Sequence, residues 1–220
     1  MKTSKLSTIC VGTLLGILAL VFSTAFGLGI IHISGFPFSA DINALNISEA
    51  SGLPKEEILS NYNAVMEYLK PLNNADFDLP TLKFTEQGAK HFEDCRVLFN
   101  TIYLLGAISG FAFLSIVILH RHRISALRLK IASAVTLAIP VILGGAMLIS
   151  FDRVFLWFHS ILFEGGTWVF DPARDEIINI LPAEFFMHCG LFIAAFWLLA
   201  AIALGAAGYI RGKSEDLNFQ

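Results

Sequence analysis

Histidine is the side chain of this chain best suited to proton transfer near neutral pH, and two of its six histidines have a carboxylate nearby. Asp94 follows His91 by three residues, and Asp152 lies in the same short motif as His159. A carboxylate that holds one imidazole nitrogen fixes the tautomer and raises the basicity of the other nitrogen. The pattern makes His91 and His159 candidates for general acid and base, with Asp94 and Asp152 as orienting residues, and the alternative is that each is a structural histidine.

Other chemistries have weaker support in the sequence. It contains no serine nucleophile elbow, no paired-cysteine motif, no His-Glu-x-x-His motif and no phosphate loop. A zinc site remains an alternative, because two or three imidazoles and a carboxylate form an acceptable ligand set. That site would use His91, His159 and His188 with Asp94.

Cys10, Cys95 and Cys189 are an odd set that lies in or beside apolar runs, which indicates buried thiols and no disulfide framework. Cys95 follows His91 by four residues, so a nucleophile–base pair on one helix face is one interpretation. The alternative is a small thiol in a contact between helices.

Four long apolar runs must position these residues. They span about 9–31, 97–119, 129–149 and 185–210, are almost free of charged side chains, and are long enough to cross a ~30 Å hydrocarbon core. The mean hydropathy of +0.68 and the 55% hydrophobic content agree with an integral membrane protein. We therefore predict an all-α membrane domain of four transmembrane helices.

The charges predict the orientation of the chain. Basic residues dominate both termini and the link at 120–130, whereas acids outnumber bases in segments 32–96 and 151–184. Because cytoplasmic loops are enriched in Lys and Arg, both termini should be cytoplasmic and the two acidic segments extracellular. The first run is longer than the apolar core of a signal peptide, so we expect a retained anchor.

The two outer segments should form a small extracellular α+β cap. Residues 54–71 have helical spacing, and 79–84 and 167–170 are strand candidates. Thr85 is a potential N-cap for a helix that leads through His91 into the second span. A further short helix, starting at Asp152, should carry His159.

Segment 151–170 is unusually rich in aromatic residues. These side chains could form an interfacial belt, or an apolar chamber that holds acyl chains and excludes water. They are Phe151, Phe155, Trp157, Phe158, Phe163, Trp168 and Phe170.

Several of these motifs, taken together, resemble a known family. The stretch from His91 to Asp94 leading into a span, and the order Phe151-Asp152-Arg153, His159, Phe163, Trp168, Asp171-Pro172 and Leu181-Pro182, are similar to the bacterial lipoprotein intramolecular transacylases, a Lit-like family of integral membrane proteins. Four spans with an extracellular cap also match. The resemblance covers nearly the whole chain.

The resemblance implies an acyltransferase of the bacterial cell membrane. The α-amine of a diacylglyceryl-cysteine lipoprotein would attack the sn-2 ester of the same molecule and leave a lyso-form lipoprotein. His91 and His159 match the catalytic histidines of the family, and neither a metal, a cofactor nor a nucleic-acid partner is implied.

Within this reaction, Arg153 or Trp168 would place substrate oxygens, and Phe155, Phe158 and Phe163 would line the chamber. Two other function classes remain open. One is a non-catalytic membrane protein whose cap binds a lipid or protein partner, and the other is a metal-dependent membrane hydrolase.

Overall fold

The computed structural model describes residues 4–217, and in that range the chain consists of helices joined by loops and turns. Two short 3₁₀ turns, Glu164–Gly166 and Glu176–Asn179, lie in the last long connection. In chain order the α-helices are α1 (Lys5–Ser34), α2 (Phe38–Ala44), α3 (Ile47–Ser51), α4 (Lys55–Tyr68), α5 (Glu86–His120), α6 (Ala126–Leu162) and α7 (Ala183–Leu217).

Four of these helices, α1, α5, α6 and α7, are long and apolar enough to cross a membrane. They contain 30 to 37 residues, which exceeds the roughly 20 needed at 1.5 Å per residue. The predicted set of four membrane helices is confirmed, and the protein is a multi-pass membrane protein. Each helix extends beyond its apolar run, so polar residues lie on the same helices as the spans.

The predicted β component of the cap is wrong, because the part of the chain that the structure describes contains no strand. Segment 79–84 is extended, but two of its backbone N–H groups are hydrogen-bonded to a side chain and not to another strand. Thr81 and Leu82 both donate their N–H groups to Oδ1 of the fully buried Asn61, at 3.3 Å each. A buried backbone donor needs a partner, and here an amide side chain takes the place of a neighbouring strand.

The second predicted strand, 167–170, is part of a turn. Gly165 and Gly166 both have positive φ, 70° and 69°, where glycine meets no Cβ clash. Val169 then donates its N–H to the carbonyl of Gly166 at 3.1 Å. The chain reverses within these residues and cannot form a ladder.

The described chain divides into two compact units. The first consists of residues 4–28, 104–146 and 191–217, and the second of Gly29–Tyr103 and Met147–Gly190. In the first unit α1 packs closely on α6, because a Cβ on Gly16 would lie 2.7 Å from the carbonyl oxygen of Ala132. Thr136 adds a hydrogen bond from its hydroxyl to the Gly16 carbonyl at 3.1 Å.

The second unit has an aromatic and aliphatic core. The Tyr62 ring of α4 stacks on Phe38 of α2 with centroids 3.8 Å apart, and Phe185 at the start of α7 meets both rings edge-on. Ile177 and Ile180, around the second 3₁₀ turn, are fully buried beside them. This core anchors the ends of α5 and α7 that belong to the unit.

Helix α6 is broken near its end. Ser150 has φ −162° and ψ 95°, which are not helical values, although helical hydrogen bonding continues to Leu162. The residues after Ser150 therefore form a separate helical piece, in agreement with the short helix predicted from Asp152. His159 lies on this piece.

Candidate active site

The start of α5 positions His91. Thr85 accepts the N–H of Gly88 on its hydroxyl at 3.0 Å, which confirms its predicted role as the helix N-cap. The buried Asp175 in turn accepts both the N–H and the hydroxyl of Thr85 at 2.8 Å each. These bonds hold the first turn of α5, and His91 follows on the next turn.

The helical piece after Ser150 positions His159. Its Nδ1 lies 2.8 Å from the backbone carbonyl oxygen of Phe155, one turn earlier. A carbonyl oxygen only accepts hydrogen bonds, so Nδ1 must carry the proton in this contact. The neutral ring is therefore held in the Nδ1–H tautomer, with a lone pair on Nε2.

The fold brings the two imidazoles together, although 68 positions separate them in the chain. Their ring centroids are 6.1 Å apart and their planes are inclined by 32°. Phe163 contacts both, at 4.6 Å from His91 and 5.5 Å from His159. The two histidines that were predicted as a pair are therefore close in space, and the Phe163 ring packs against both of them.

His91 is more deeply buried than His159, with only 7% of its surface exposed. Its Nε2 lies 3.5 Å from the sulfur of Cys95, one turn later on α5. Its Nδ1 is buried and has no hydrogen-bond partner among the described residues. Phe163 and Phe170 flank the ring at 4.6 and 5.4 Å.

Aromatic side chains surround His159. Phe155 lies 4.1 Å away, Trp168 5.1 Å and Phe158 5.4 Å, measured between centroids. Four of the five predicted substrate-contacting residues therefore lie against the histidine pair. The fifth, Arg153, is exposed on the same helical piece, and in the described structure no hydrogen bond joins it to either imidazole.

Burial disfavours the protonated, positively charged form of both histidines. Both histidines lie outside the apolar runs 97–119 and 129–149, and burial lowers the pKa of each from the usual 6.5. The neighbouring His159 lowers the pKa of His91 further, whereas the charge of Asp94 opposes this. Both imidazoles are therefore mainly neutral at pH 7. The lone pair on Nε2 of His159 is free to accept a proton.

The two carboxylates do not hold the histidines as predicted. Asp94 pairs with Lys90 at 3.2 Å, and Asp152 is exposed. In the described residues no hydrogen bond joins either carboxylate to His91 or His159. The Phe155 carbonyl and the Cys95 thiol make those contacts instead.

Sequence reasoning missed the partner of His188. Its Nδ1 is 2.8 Å from Oδ1 of Asp41, a residue of α2 that is only 4% exposed. The other carboxylate oxygen, Oδ2, has no partner among the described residues. The pair joins positions 147 residues apart, so no local pattern could have indicated it.

His32 is likewise held by the fold. Its Nε2 donates to the carbonyl of Met66 on α4, and its Nδ1 lies 2.9 Å from the hydroxyl of Tyr103 on α5. His32 and His188 both have partners of their own, away from the pair. Within residues 4–217 no group of three or more His, Cys, Asp or Glu side chains is close enough to hold a metal ion, so the predicted zinc ligands are not assembled.

Comparison with known proteins points to one family. Residues 10–186 match the family model described as lipoprotein intramolecular transacylase Lit. The chain is also similar to the structure of the membrane integral lipoprotein intramolecular transacylase Lit from Bacillus cereus, with 26% identity and a TM-score of 0.89 over 97% of this chain and 100% of that one.

Two further similar structures are variants of the Bacillus cereus enzyme. One carries a histidine-to-arginine change (27% identity, TM-score 0.80, 96% of this chain and 94% of that one). The other carries a histidine-to-alanine change (25% identity, TM-score 0.73, 96% of each chain). A comparison with curated protein sequences gave no match.

Proposed function

The chain belongs to the lipoprotein intramolecular transacylase family, and from that premise we propose that His91 and His159 catalyse its acyl transfer. The substrate is a diacylglyceryl-cysteine lipoprotein whose α-amine is free. This amine attacks the sn-2 ester carbonyl of the same molecule. The acyl chain moves to nitrogen, the glyceryl oxygen is released as a hydroxyl, and a lyso-form lipoprotein results.

The observation that carries this proposal is the pair of imidazoles whose centroids are 6.1 Å apart, His91 buried and His159 half-buried. The substrate supplies its own nucleophile, so the enzyme needs no activated serine or cysteine. The attacking nitrogen must lose a proton and the departing oxygen must gain one. Positioned groups that carry out such transfers contribute about 10²–10⁴-fold in rate.

Confinement of the substrate supports the same reaction. Amine and ester belong to one flexible molecule, and holding them in a near-attack geometry contributes several kcal/mol. The aromatic walls formed by Phe155, Phe158, Phe163 and Trp168 suit the glyceryl and acyl parts and keep water from hydrolysing the ester. Amide formation is thereby favoured over release of a fatty acid.

The charged residues near the pair have secondary roles in this proposal. Asp94 acts on His91 through its charge, which favours the protonated imidazole. Arg153 and Asp152 are exposed on the same helical piece as His159. We assign Arg153 to polar contacts with the incoming lipoprotein, and Asp152 to the orientation of that helical piece.

The charge bias supports a defined orientation. Both termini and the 120–130 link would face the cytoplasm, and segments 32–96 and 151–184 would form the extracellular cap. The histidine pair, on α5 and α6 within the second unit, then faces the side on which lipoproteins are anchored. The bilayer delivers the acyl chains of the substrate laterally.

Tandem mass spectrometry of a lipoprotein N-terminal peptide tests the function. A diacyl-lipoprotein host would express the wild type, His91→Ala, His159→Ala or the control His122→Ala, whose histidine is exposed in the 120–130 link. We expect an acyl chain on nitrogen at unchanged total mass with the wild type and the control. Both site variants should lose it.

Membrane levels and thermal melting of each variant show whether it is folded. An unchanged diacyl pattern with folded wild-type protein would refute the transacylase. N-acylation at the wild-type rate in either alanine variant would refute the assigned catalytic pair.

A further inference from the structure

We propose that the start of α6, in the first unit, is a binding site for the phosphate group of an anionic phospholipid, and that Arg128 is the main residue that binds it. The site belongs to a different unit of the chain from the histidine pair, and it does not depend on the proposed reaction. Its ligand is a lipid of the surrounding bilayer with a net negative charge, such as phosphatidylglycerol, and not the lipoprotein substrate.

Arg128 is a buried positive charge without a counter-ion in the protein. Only 6% of its surface is exposed, and among residues 4–217 no carboxylate forms an ion pair with it. A guanidinium cannot lose its proton in a protein, so this side chain cannot become neutral. A buried charge is costly unless an opposite charge and hydrogen bonds compensate it. The surroundings of Arg128 therefore favour a negatively charged ligand.

The hydrogen bonds of Arg128 leave one nitrogen for that ligand. Nη1 donates to the backbone carbonyl of Arg123, and Nη2 donates to the hydroxyl of Ser7 on α1 at 3.3 Å. Nε is buried and has no hydrogen-bond partner in the described structure. A phosphate oxygen that accepts from Nε would supply both the missing hydrogen bond and the negative charge, in a charge-assisted contact of the kind that Arg and phosphate form.

Close packing fixes the position of this side chain. On one side of α6, a Cβ at Gly12 of α1 would lie 2.9 Å from the carbonyl oxygen of Arg128. On the other, a Cβ at Gly208 of α7 would lie 3.3 Å from the carbonyl oxygen of Ala126. The link before α6 is held as well, because Ile124 is buried in the core of the unit. The site is thus formed before a ligand binds, which lowers the cost of binding.

The start of α6 adds to the positive potential. Arg128 is the third residue of this helix, whose N-terminal end carries a partial positive charge and has no acid in its first turn. Glu215 of α7 accepts the N–H of Ala126 at 3.2 Å, but its carboxylate is already paired with Arg211 at 3.5 Å. The guanidinium and the helix end therefore attract the same kind of ligand, and helix N-termini are frequent phosphate sites.

Exposed cations flank the buried one. The link at 120–130 contains Arg121, Arg123 and Lys130 in addition to Arg128, and it contains no acid. All three flanking side chains are exposed, and none of them forms an ion pair in the range that the structure describes. Clusters of Lys and Arg next to membrane helices attract anionic headgroups.

The surface next to these cations is apolar, which identifies the ligand as a lipid. Leu127 is exposed beside Arg128, and Leu119 and Ile210 are exposed near the ends of α5 and α7. These helices are long and apolar enough to cross a membrane. A phospholipid matches both surfaces, because its acyl chains cover the apolar side chains while its phosphate contacts the arginine. A soluble phosphate would leave the apolar side chains in water.

Native mass spectrometry of the delipidated full chain in detergent tests the site. The protein would be titrated with phosphatidylglycerol and with phosphatidylcholine of the same acyl chains, which has the phosphate but no net charge. We expect one tightly bound phosphatidylglycerol, with an affinity about tenfold above that of phosphatidylcholine, the effect of one hydrogen bond to a charged group. Arg128→Gln should remove this preference.

Equal affinity of the wild type for the two lipids would overturn the proposal. So would an unchanged preference for phosphatidylglycerol in an Arg128→Gln protein whose melting temperature shows that it is folded.

A second variant avoids any effect of Arg128 on folding. Arg121→Gln/Arg123→Gln removes two exposed charges and keeps the backbone carbonyl of residue 123, and it should weaken phosphatidylglycerol binding roughly tenfold. Lys55→Gln/Arg174→Gln is the matched control, because it removes two exposed charges from the second unit. The control should bind this lipid as the wild type does. Equal weakening by both double variants would show that net charge, and not this site, attracts the lipid.

Inorganic phosphate and glycerol phosphate distinguish a lipid from a soluble anion. Either compound, added at the same concentration as the lipid, should leave phosphatidylglycerol bound, because it has no acyl chains to cover the apolar surface. Displacement of the lipid under these conditions would show that the site takes soluble phosphate, and the assignment of a phospholipid would be wrong.

Discussion

The two imidazoles of the site are chemically identical side chains whose second nitrogens meet different groups. His159 donates to a backbone carbonyl, and His91 faces a thiol. The first contact leaves a lone pair on Nε2 of His159, and Nδ1 of His91 is buried without a hydrogen-bond partner in the described structure. The neighbouring aromatic rings remove water and so keep both rings neutral at rest.

The pH dependence of the rate should reflect this burial. Two groups must be unprotonated: the substrate α-amine, with a usual pKa of about 7.7–8.0, and the histidine that takes its proton. Because burial lowers the pKa of both histidines below 6.5, the logarithm of kcat should fall with a slope that approaches one between pH 7.5 and 6.5. A slope of two should begin only below pH 6.5.

A pH–rate profile of the wild-type enzyme with a diacyl-lipopeptide in proteoliposomes measures both slopes. The other titratable groups beside the pair are Cys95, whose pKa burial raises to about 12, and Asp94, which is paired with Lys90. A slope clearly above one between pH 7.5 and 6.5 would show that the pKa of the histidine that takes the proton is not lowered.

At the level of elements, hydrogen bonds from side chains determine how the short helices of the second unit attach to the long ones. Asn61 of α4 holds the extended segment 79–84. Asp175 holds the first turn of α5 through Thr85. Asp41 of α2 holds α7 through His188. These buried contacts anchor elements too short to be stable alone.

His188→Ala should destabilise the protein more than any exposed ion-pair variant. It leaves the Asp41 carboxylate, 4% exposed, with neither oxygen hydrogen-bonded to a side chain, and an orphaned buried charge costs about 3–5 kcal/mol. Lys70→Ala, which breaks an exposed pair with Glu67, should cost less than 1 kcal/mol.

Thermal and denaturant unfolding in detergent compares the two variants. The double variant Asp41→Ala/His188→Ala should recover part of the loss, because it removes the orphaned charge. Equal stability of His188→Ala and Lys70→Ala would mean that the buried pair contributes no more than a surface one.

At the level of the whole molecule, the bilayer covers what the chain leaves exposed. Large apolar side chains such as Leu148, Phe111 and Ile118 are 90%, 76% and 67% exposed. Such surfaces are stable on membrane helices, where lipid replaces water. Because lipid is as apolar as leucine, helix association depends on close packing at small residues instead.

Gly16→Leu should therefore impair assembly of the first unit. A Cβ at Gly16 would lie 2.7 Å from the Ala132 carbonyl oxygen and 2.8 Å from Cβ of Val135, so α1 and α6 would have to separate. Overpacking of this kind costs about 1–3 kcal/mol. Gly144→Leu is the control, because nothing lies within 4 Å of its Cβ position.

The two leucine variants can be compared by melting temperature and by the yield of monodisperse protein after extraction. Equal behaviour of both would contradict the close contact at Gly16.

The four membrane helices could be predicted because they depend on a local property. A run of about 20 apolar residues must be helical in lipid, whatever the rest of the chain does. His91 and His159 could be named as candidates from residue type and the motifs around them, but only the fold shows that they are close in space. The α+β cap was mispredicted because the strand propensity of 79–84 is local, whereas the Asn61 side chain that satisfies its backbone comes from another helix.

The partners of the histidines were decided by the tertiary structure. Every residue carries a backbone carbonyl, so no residue type marks the one at Phe155 as the acceptor for His159. The Asp41–His188 bond joins distant positions that only packing of α2 against α7 brings together. The sequence by itself determined which side chains are able to move a proton near neutral pH and that four helices cross the membrane. The 6.1 Å between the two imidazoles, and the nitrogen each presents, follow from the fold because both depend on contacts between elements far apart in the chain.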